Sequence, residues 1–586
     1  MEDLTLRYYE AELRYLRDAT REFARLHPEQ ASMMGLTTPG AADDSVERLF
    51  QGFAFLNGRL REKLDDDYPE LTEGVISLLW PHALRPLPSA CVVEISPDAD
   101  GMKLSDVVTA KSEVLSQPVG ENHIRCRYRT TRDLTLNPLA LNAASMVTDP
   151  DGKHLLRMLF HCGRSADWRQ IDLSNLPLYL HGDAPLSSLL HLYLTRRVAA
   201  MYIRLPGHVD RQPFGGRFRA SSFDATASIW PVDNAGTKTP DRSGHMHLLE
   251  YFTFREKFMF AELAGLESVE WPESPEWFEL EVVFSEFWPT DFKVDESNLR
   301  LHCVPVVNLF RLDARPLAIN AHQSDYRLLP LRNDDPDIEI FAVEQVAGSF
   351  AEDAPHYTPF RHFQHRGGMM QHNIPARWYH TRMKRGESGR METTLTLGGD
   401  AFEQDRLNPE DPLALSLTGT NGMLPRKTLQ SVLLDTLEST TQTSVRVQNL
   451  SIPTMACYPP QRDRFHWQLL SQTGSSFLWM MDNAEVLRNT LKLHCWSDDA
   501  INQQRLASIT DVRHWRLQRW QRYLQRGVDI EVTLDTAHFA GEGDVWLFGS
   551  LLNRFLAQFA DEHLYNRLTL ILQPSGKCLR WKENHH

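Results

Sequence analysis

Near the start of the chain, apolar residues recur in steps of three and four at Leu6, Tyr9, Leu13, Leu16 and, past Thr20, Phe23. That spacing predicts an α-helix with a coiled-coil-like stripe and a charged far side. His27-Pro28 ends it, because proline cannot donate to the helix ladder. After a loop of Gly, Thr, Pro and Ala, the series Val46, Leu49, Phe53, Leu56, Leu60 and Leu64 predicts a second helix of the same kind. A short third helix, through Leu71, Val75, Leu78 and Leu79, stops at Trp80-Pro81. Two such stripes face each other or a partner. Heptad spacing does not choose between a hairpin closing on itself and an intermolecular bundle.

From Ala90 the pattern changes to short β-type runs, Cys91 to Ile95, His123 to Thr130 and Leu155 to Cys162, parted by Pro, Gly and Asp clusters. Pro185 to Leu194 reads as a helix, Met201 to Leu205 as a strand, and Trp230 to Gly244 as a surface loop. Alternation at Phe278, Leu280, Val282 and Phe284 predicts a half-buried strand, and Leu299 to Phe310 a further β stretch. Residues 331–390 mix acids, prolines and histidines without one period and read as loop-rich, with a basic cluster from Arg377 to Arg390. Ala484 to His494 reads as a helix and Arg513 to Arg526 as an irregular basic stretch. A strand at Val528 to Leu534, a helix from Val545 to Leu564 with Phe548, Leu551, Leu552, Phe555 and Phe559 on one face, and a strand at Leu568 to Leu572 follow as one β-turn-α-β unit.

The expected fold class is therefore α+β multidomain: an N-terminal helical hairpin or bundle, several β-rich domains and a C-terminal α/β unit. The expected division is a helical region at 1–88, a β-rich domain at 89–240, a second at 241–425, and an α+β domain at 426–586. A chain of 586 residues exceeds what one core usually serves.

Charge narrows the partners. With 62 Lys and Arg against 77 Asp and Glu, the net charge of -15 disfavours nucleic acid. No uninterrupted apolar stretch reaches the roughly 18 residues a membrane helix needs, and no export signal opens the sequence. The expectation is a cytoplasmic protein without direct membrane insertion. The seven cysteines are scattered and flanked by apolar residues, as in Ala90-Cys91-Val92-Val93, and fit free thiols in a reducing compartment.

Motifs for chemistry are lacking. There is no phosphate-binding Gly-rich loop, nucleophile elbow, His-Glu-x-x-His helix or paired Cys-x-x-Cys. His356, His362, His365, His372 and His380 could converge on a transition metal and support a metal-dependent hydrolase, but they lack a fixed spacing to a carboxylate. Loop histidines are the plainer reading. Asp65, Asp66 and Asp67 point in different directions on a helix and read as a solvated end. Phe465, Trp467, Phe477 and Trp479 fit core or interface packing better than ligand stacking. A carbohydrate-binding β-protein is a third reading, and it has no identifiable site. No catalytic, cofactor-binding or metal residue is assigned.

Longer strings carry a resemblance. Tyr8-Tyr9-Glu10-x-Glu12-Leu13-x-Tyr15-Leu16-Arg17, Gly52-Phe53-Ala54-Phe55-Leu56 and Pro81-His82-x-Leu84-Arg85-Pro86 lie near the start. Leu180-His181-Gly182-Asp183, Glu250-Tyr251-Phe252-x-Phe254 with Glu256-Lys257-Phe258, and Cys303 to Phe310 follow. Leu417-Thr418-Gly419-Thr420-Asn421-Gly422 and Phe539-Ala540-Gly541-x-Gly543-Asp544 lie further on. Together they resemble the TssF family of type VI secretion baseplate subunits across nearly the whole chain. Arg446 to Gln461 departs from the family's proline-rich run. The resemblance implies a structural wedge subunit that assembles with TssG, TssK and additional TssF copies, and with spike and other tail components. It implies no activity and no cofactor. Leu6, Tyr9, Leu13, Leu16 and Phe23 are the candidate partner-binding residues.

Overall fold

The structure is a computed structural model. It describes the chain except residues 1–3, 34–43, 66–68, 121, 150–151, 169, 209, 225–226, 231–242, 321–322, 324, 332–336, 349–355, 361–376, 387–389, 400–401, 403–411, 428–431, 439–442, 461–464, 475–479, 521–523, 560–563 and 585–586. Contacts divide it into two units, Met1–Trp80 with Gln461–Thr473, and Pro81–Pro460 with Gly474–His586.

The first unit is helical. Helix α1 (Leu4–Leu26) ends two residues before Pro28, which opens the short α2 (Pro28–Met33), where its missing N–H costs nothing. Helices α3 (Asp44–Asp65) and α4 (Pro69–Leu79) follow, and α1 packs against α3. A distant segment, the helix Phe465–Gly474, joins this unit through its residues up to Thr473 and buries Phe465 and Leu469.

The second unit is built from sheets whose strands come from widely separated stretches of chain. Its six-stranded sheet runs, in order, Leu434–Glu438, Glu113–Val119, Ile124–Thr130, Cys303–Val307, Ala90–Pro97 and Val445–Asn449. The two outermost strands approach each other, and Leu434 N donates to Asn449 Oδ1 at 3.1 Å, so the sheet curls towards a barrel. The strand Ala90–Pro97 is buried on both faces. Cys91, Val93 and Ile95 fill the inside of this curled sheet, while Ala90 and Val92 join the large neighbouring core. That double burial explains the unbroken apolar run Ala90-Cys91-Val92-Val93.

The large core lies among a five-stranded sheet, a four-stranded sheet and helices that include α5 (Ala184–Arg196) and α6 (Ser243–Thr253). In the five-stranded sheet, Trp277–Phe284 pairs on both sides, with His154–Cys162 and with Val198–Arg204. Its burial is therefore nearly complete, not the half burial that alternation predicts, and Glu281 is held by Arg157 (3.0 Å) and Arg211 (2.8 Å).

The described residues within 331–390 include more strand than their composition suggests. Glu339–Ala347, His356–Pro359 and Trp378–Arg385 are strands of a seven-stranded sheet, and the basic cluster runs along the last of them, paired with Met391–Gly398. Its charges alternate with Trp378, Tyr379 and Met383, and only tertiary pairing resolves that mixture as a strand.

At the C-terminus, the described residues of Arg513 to Arg526 are also regular. Ile509–Trp520 and Leu524–Asp535 form a long antiparallel hairpin. Leu524–Asp535 then pairs in parallel with Leu564–Gln573, and the helix Glu542–Ala557 makes the crossover, as a β-α-β unit requires. The helix ends earlier than its apolar run suggests, because Leu564 already belongs to the strand. The close fit of this helix has a cause at Gly543, where a Cβ would stand 2.1 Å from the Ser188 carbonyl oxygen of α5.

Candidate interaction surfaces

In the helical unit, the α1 stripe is only partly covered. Tyr9, Leu13 and Leu16 are half-buried and Phe23 is exposed, its ring 5.2 Å from that of His27. Leu6 lies in the first turns of α1. Thr20, which interrupts the stripe, turns its hydroxyl to the Leu16 carbonyl at 2.7 Å.

The second stripe is in a different position from the first. Among the described side chains of α3 the buried ones are small, Ala54 and Gly58. Leu49, Phe53 and Leu56, spaced as i, i+4 and i+7, are 65%, 55% and 65% exposed. A ridge of three large apolar side chains is thus left facing water, about 1.5–3 kcal/mol of unrealised burial for each. Phe55, and on α1 Tyr15 and Leu26, add to the exposed apolar area of this unit. Spacing identified these positions; their outward direction was not legible, since the small-residue face competes for the same neighbour.

Of the other sequence candidates, His356 is an exposed strand residue 3.4 Å from Gln345 Nε2, and the His380 ring lies 6.3 Å from that of Phe360. His362, His365 and His372 lie outside the described residues, as do Asp66, Asp67, Phe477 and Trp479. Among the described residues, no three His, Cys, Asp or Glu side chains are grouped to hold a metal ion. Trp467 is exposed on its helix while Phe465 is buried. Cys91, Cys126, Cys162 and Cys303 are buried free thiols; burial pushes the Cys162 thiol up to about 12, so it stays protonated and unreactive.

Several of the long strings of the sequence turn out to be joints. Asp183 caps α5, accepting from Leu186 N at 3.2 Å, next to Gly182 at φ +144°. Cys303–Phe310 and Leu417–Gly422 meet, with Phe310 paired to Gly419. There Asn308 Nδ2 donates to the Arg127 carbonyl (2.8 Å) and to Asn421 Oδ1 (2.9 Å). Its Oδ1 accepts from Thr420 Oγ1 (2.8 Å) and Asn421 N (2.7 Å), so one buried amide ties the six-stranded sheet to the seven-stranded one. Asp544 accepts from Ala540 N at 3.0 Å and from buried Arg505, which makes the Phe539–Asp544 string the anchor of the crossover helix. A lone asparagine inside Val306-Val307-Asn308-Leu309 was the signal available for this role.

Comparison with known proteins agrees with the strings. The family model described as "Type VI secretion system, TssF" matches residues 1–586. The type VI secretion system component TssF1 of Pseudomonas aeruginosa is 26% identical over 614 aligned positions, covering 98% of each chain. A chain of the TssK-TssF-TssG baseplate subcomplex solved by cryo-electron microscopy superposes with a TM-score of 0.82 at 51% identity, covering 92% of this chain and 99% of that one. A chain of the type VI secretion baseplate complex gives 0.68 at 47% identity, covering 100% and 99%. The chain belongs to the TssF family of type VI secretion systems.

Proposed function

We propose that this chain is a structural wedge subunit of a type VI secretion baseplate, assembling with TssG, TssK and further TssF copies into the platform on which a contractile tail and its spike are built. The observation that carries the reading is the outward ridge Leu49, Phe53 and Leu56 beside the half-covered α1 stripe. A helix that buries Ala54 and Gly58 and exposes Leu49, Phe53 and Leu56, beside a half-covered stripe, is built to complete a bundle with helices of another chain. Tyr9, Leu13, Leu16 and Phe23 border that bundle, with Leu6 as its first turn. The solved relative in the TssK-TssF-TssG subcomplex supports TssG and TssK as the neighbours.

The role is scaffolding without an active site. Its place is the cytoplasm, at the inner-membrane-docked baseplate. Among the described residues no helix is long and apolar enough to cross a membrane. Work in such a machine comes from repacking of wedges between two arrangements. Co-expression with the cognate TssG and TssK, tagged pull-down and light scattering test the reading. A complex of defined mass is expected, and a monomer that ignores both proteins refutes it.

A further inference from the structure

The strand Ile509–Trp520 is the outer strand of the C-terminal sheet, paired on one side only, with Leu524–Asp535. From Val512 to Arg526 the sequence holds five arginines, two tryptophans, one tyrosine and no carboxylate, in a chain of net charge -15. Among the described residues, no backbone group from Asp511 to Gln518 bonds to backbone outside the hairpin. Among the described residues this edge carries no second strand, and it is the wrong sign for the rest of the protein.

Register sorts its side chains onto two faces. Arg513, Trp515, Leu517 and Arg519 share one. There Arg513 Nε donates to Asp511 at 2.8 Å and Arg519 lies 3.6 Å from Glu583, while Arg567 reaches Asp529, so the charges on this face are matched. What remains is Trp515, 45% exposed, beside half-buried Leu517. The opposite face starts as core, with Val512 opposite Val532 and His514 opposite Ile530. It continues beyond the core as Arg516 and Gln518, opposite Val528 and Arg526. Arg516 and Arg526 are exposed, and among the described residues neither has a hydrogen-bond or ion-pair partner. They occupy diagonal cross-strand positions, about 7–8 Å apart in a sheet.

Charged side chains on an edge commonly serve to keep other strands away. That accounts for the arginines but not for an exposed indole and a leucine on the alternate positions. Taken together the edge has a pattern of its own: uncompensated positive charge on one face, apolar surface on the other, and between them a strand paired on one side only. We infer that it receives an extended acidic segment of a partner protein as an added strand. Carboxylates at alternate positions face Arg516 and Arg526, and the apolar side chains between them pack on Trp515 and Leu517. Main-chain bonds supply the affinity of such an addition and the alternating side chains its specificity.

The test uses the full chain and fluorescence anisotropy with three labelled probes: a short peptide alternating Glu and Val, a peptide of the same composition with its Glu and Val in separate blocks, and single-stranded DNA. The alternating peptide is expected to bind saturably and the block peptide about tenfold more weakly. The double variant Arg516→Glu/Arg526→Glu, with its thermal midpoint retained, is expected to lose the binding. Two alternating peptides, each N-methylated at every second amide in complementary registers, probe the backbone without altering the protein, and one of them should fail to bind. Equal binding by alternating and block peptides, binding by both methylated peptides, tighter binding of DNA through the same arginines, or no binding at all would overturn the inference.

Discussion

Lys257 and Glu250 form an ion pair at the end of α6 with side chains 1% and 0% exposed. Glu250 Oε1 also accepts from Ile229 N at 2.9 Å and Ser228 Oγ at 3.3 Å. Burial still pulls the Lys257 ammonium below its ordinary range, against the opposing pull of Glu250, so each charge depends on the other remaining in place. Lys257→Met should cost about 3–5 kcal/mol by leaving the carboxylate buried and uncompensated. The joint replacement Glu250→Met/Lys257→Met should recover part of that loss, the remainder being the cost of leaving Ile229 N without its acceptor, a result read directly from guanidinium unfolding of the two variants.

Charge placed on the α3 ridge separates assembly from folding. Phe53→Glu and Leu56→Glu fall on exposed positions, so stability should change by no more than about 0.5 kcal/mol. Co-purification with TssG should nevertheless be lost. Leu13→Glu/Leu16→Glu, on half-covered positions of α1, should weaken both assembly and the stability of the helical unit. A ridge variant that co-purifies normally would remove α3 from the interface.

Asn308 joins two sheets through four hydrogen bonds. Asn308→Ala strands the Thr420 hydroxyl, the Asn421 amide and the Arg127 carbonyl in a buried place, at a cost of about 3 kcal/mol. Hydrogen exchange should quicken around Thr420 and Asn421 before it does elsewhere. Uniform quickening across both sheets would instead mean that they unfold as one body.

Buried histidines make the fold sensitive to acid. Burial holds His191, His302 and His494 at about 4 and His247 at about 3, so the folded chain leaves them neutral where the unfolded chain binds protons. Their folded values lie below the unfolded value of about 6.5, hence stability is full above that pH and is lost as pH falls towards 4. Each contributes up to about 1.4 kcal/mol per pH unit. His191 Nε2 has no partner among the described residues, so His191→Phe should raise the denaturation midpoint at pH 5 more than at pH 7.5. Equal shifts at the two pH values would exclude titration as the cause.

Local signals were readable wherever one period ruled a segment. Helices α1, α3 and α4 and the crossover helix all follow apolar spacing that is set within the segment itself. The sequence was silent on two kinds of fact. Which face of α3 turns inward depends on Ala54 and Gly58 offering closer approach than Leu49 or Phe53, a choice made by the neighbouring helix. Trp378–Arg385 and Ile509–Trp520 carry mixed charged and aromatic residues, and such segments become strands through the partners they pair with. The family strings marked joints reliably, because a buried amide or carboxylate with fixed partners leaves a short polar signature inside an apolar run.

The barrel-like sheet also sets a timetable for synthesis. Ala90–Pro97 lies between Cys303–Val307 and Val445–Asn449, so after Pro97 is made, 352 further residues must be added before Asn449 exists. At about 5–20 residues per second that is a delay of roughly 20–70 s on the ribosome. For the first 210 of those residues the apolar strand Ala90-Cys91-Val92-Val93 has neither neighbour, and from then until Val445–Asn449 is made it has only Cys303–Val307. The α1–α3 helices await their own late segment, Phe465–Gly474, for longer still. A nascent chain in this condition needs something to occupy its apolar surfaces, and the helical ridge is finished early enough for a partner chain to begin docking before the sheets have closed.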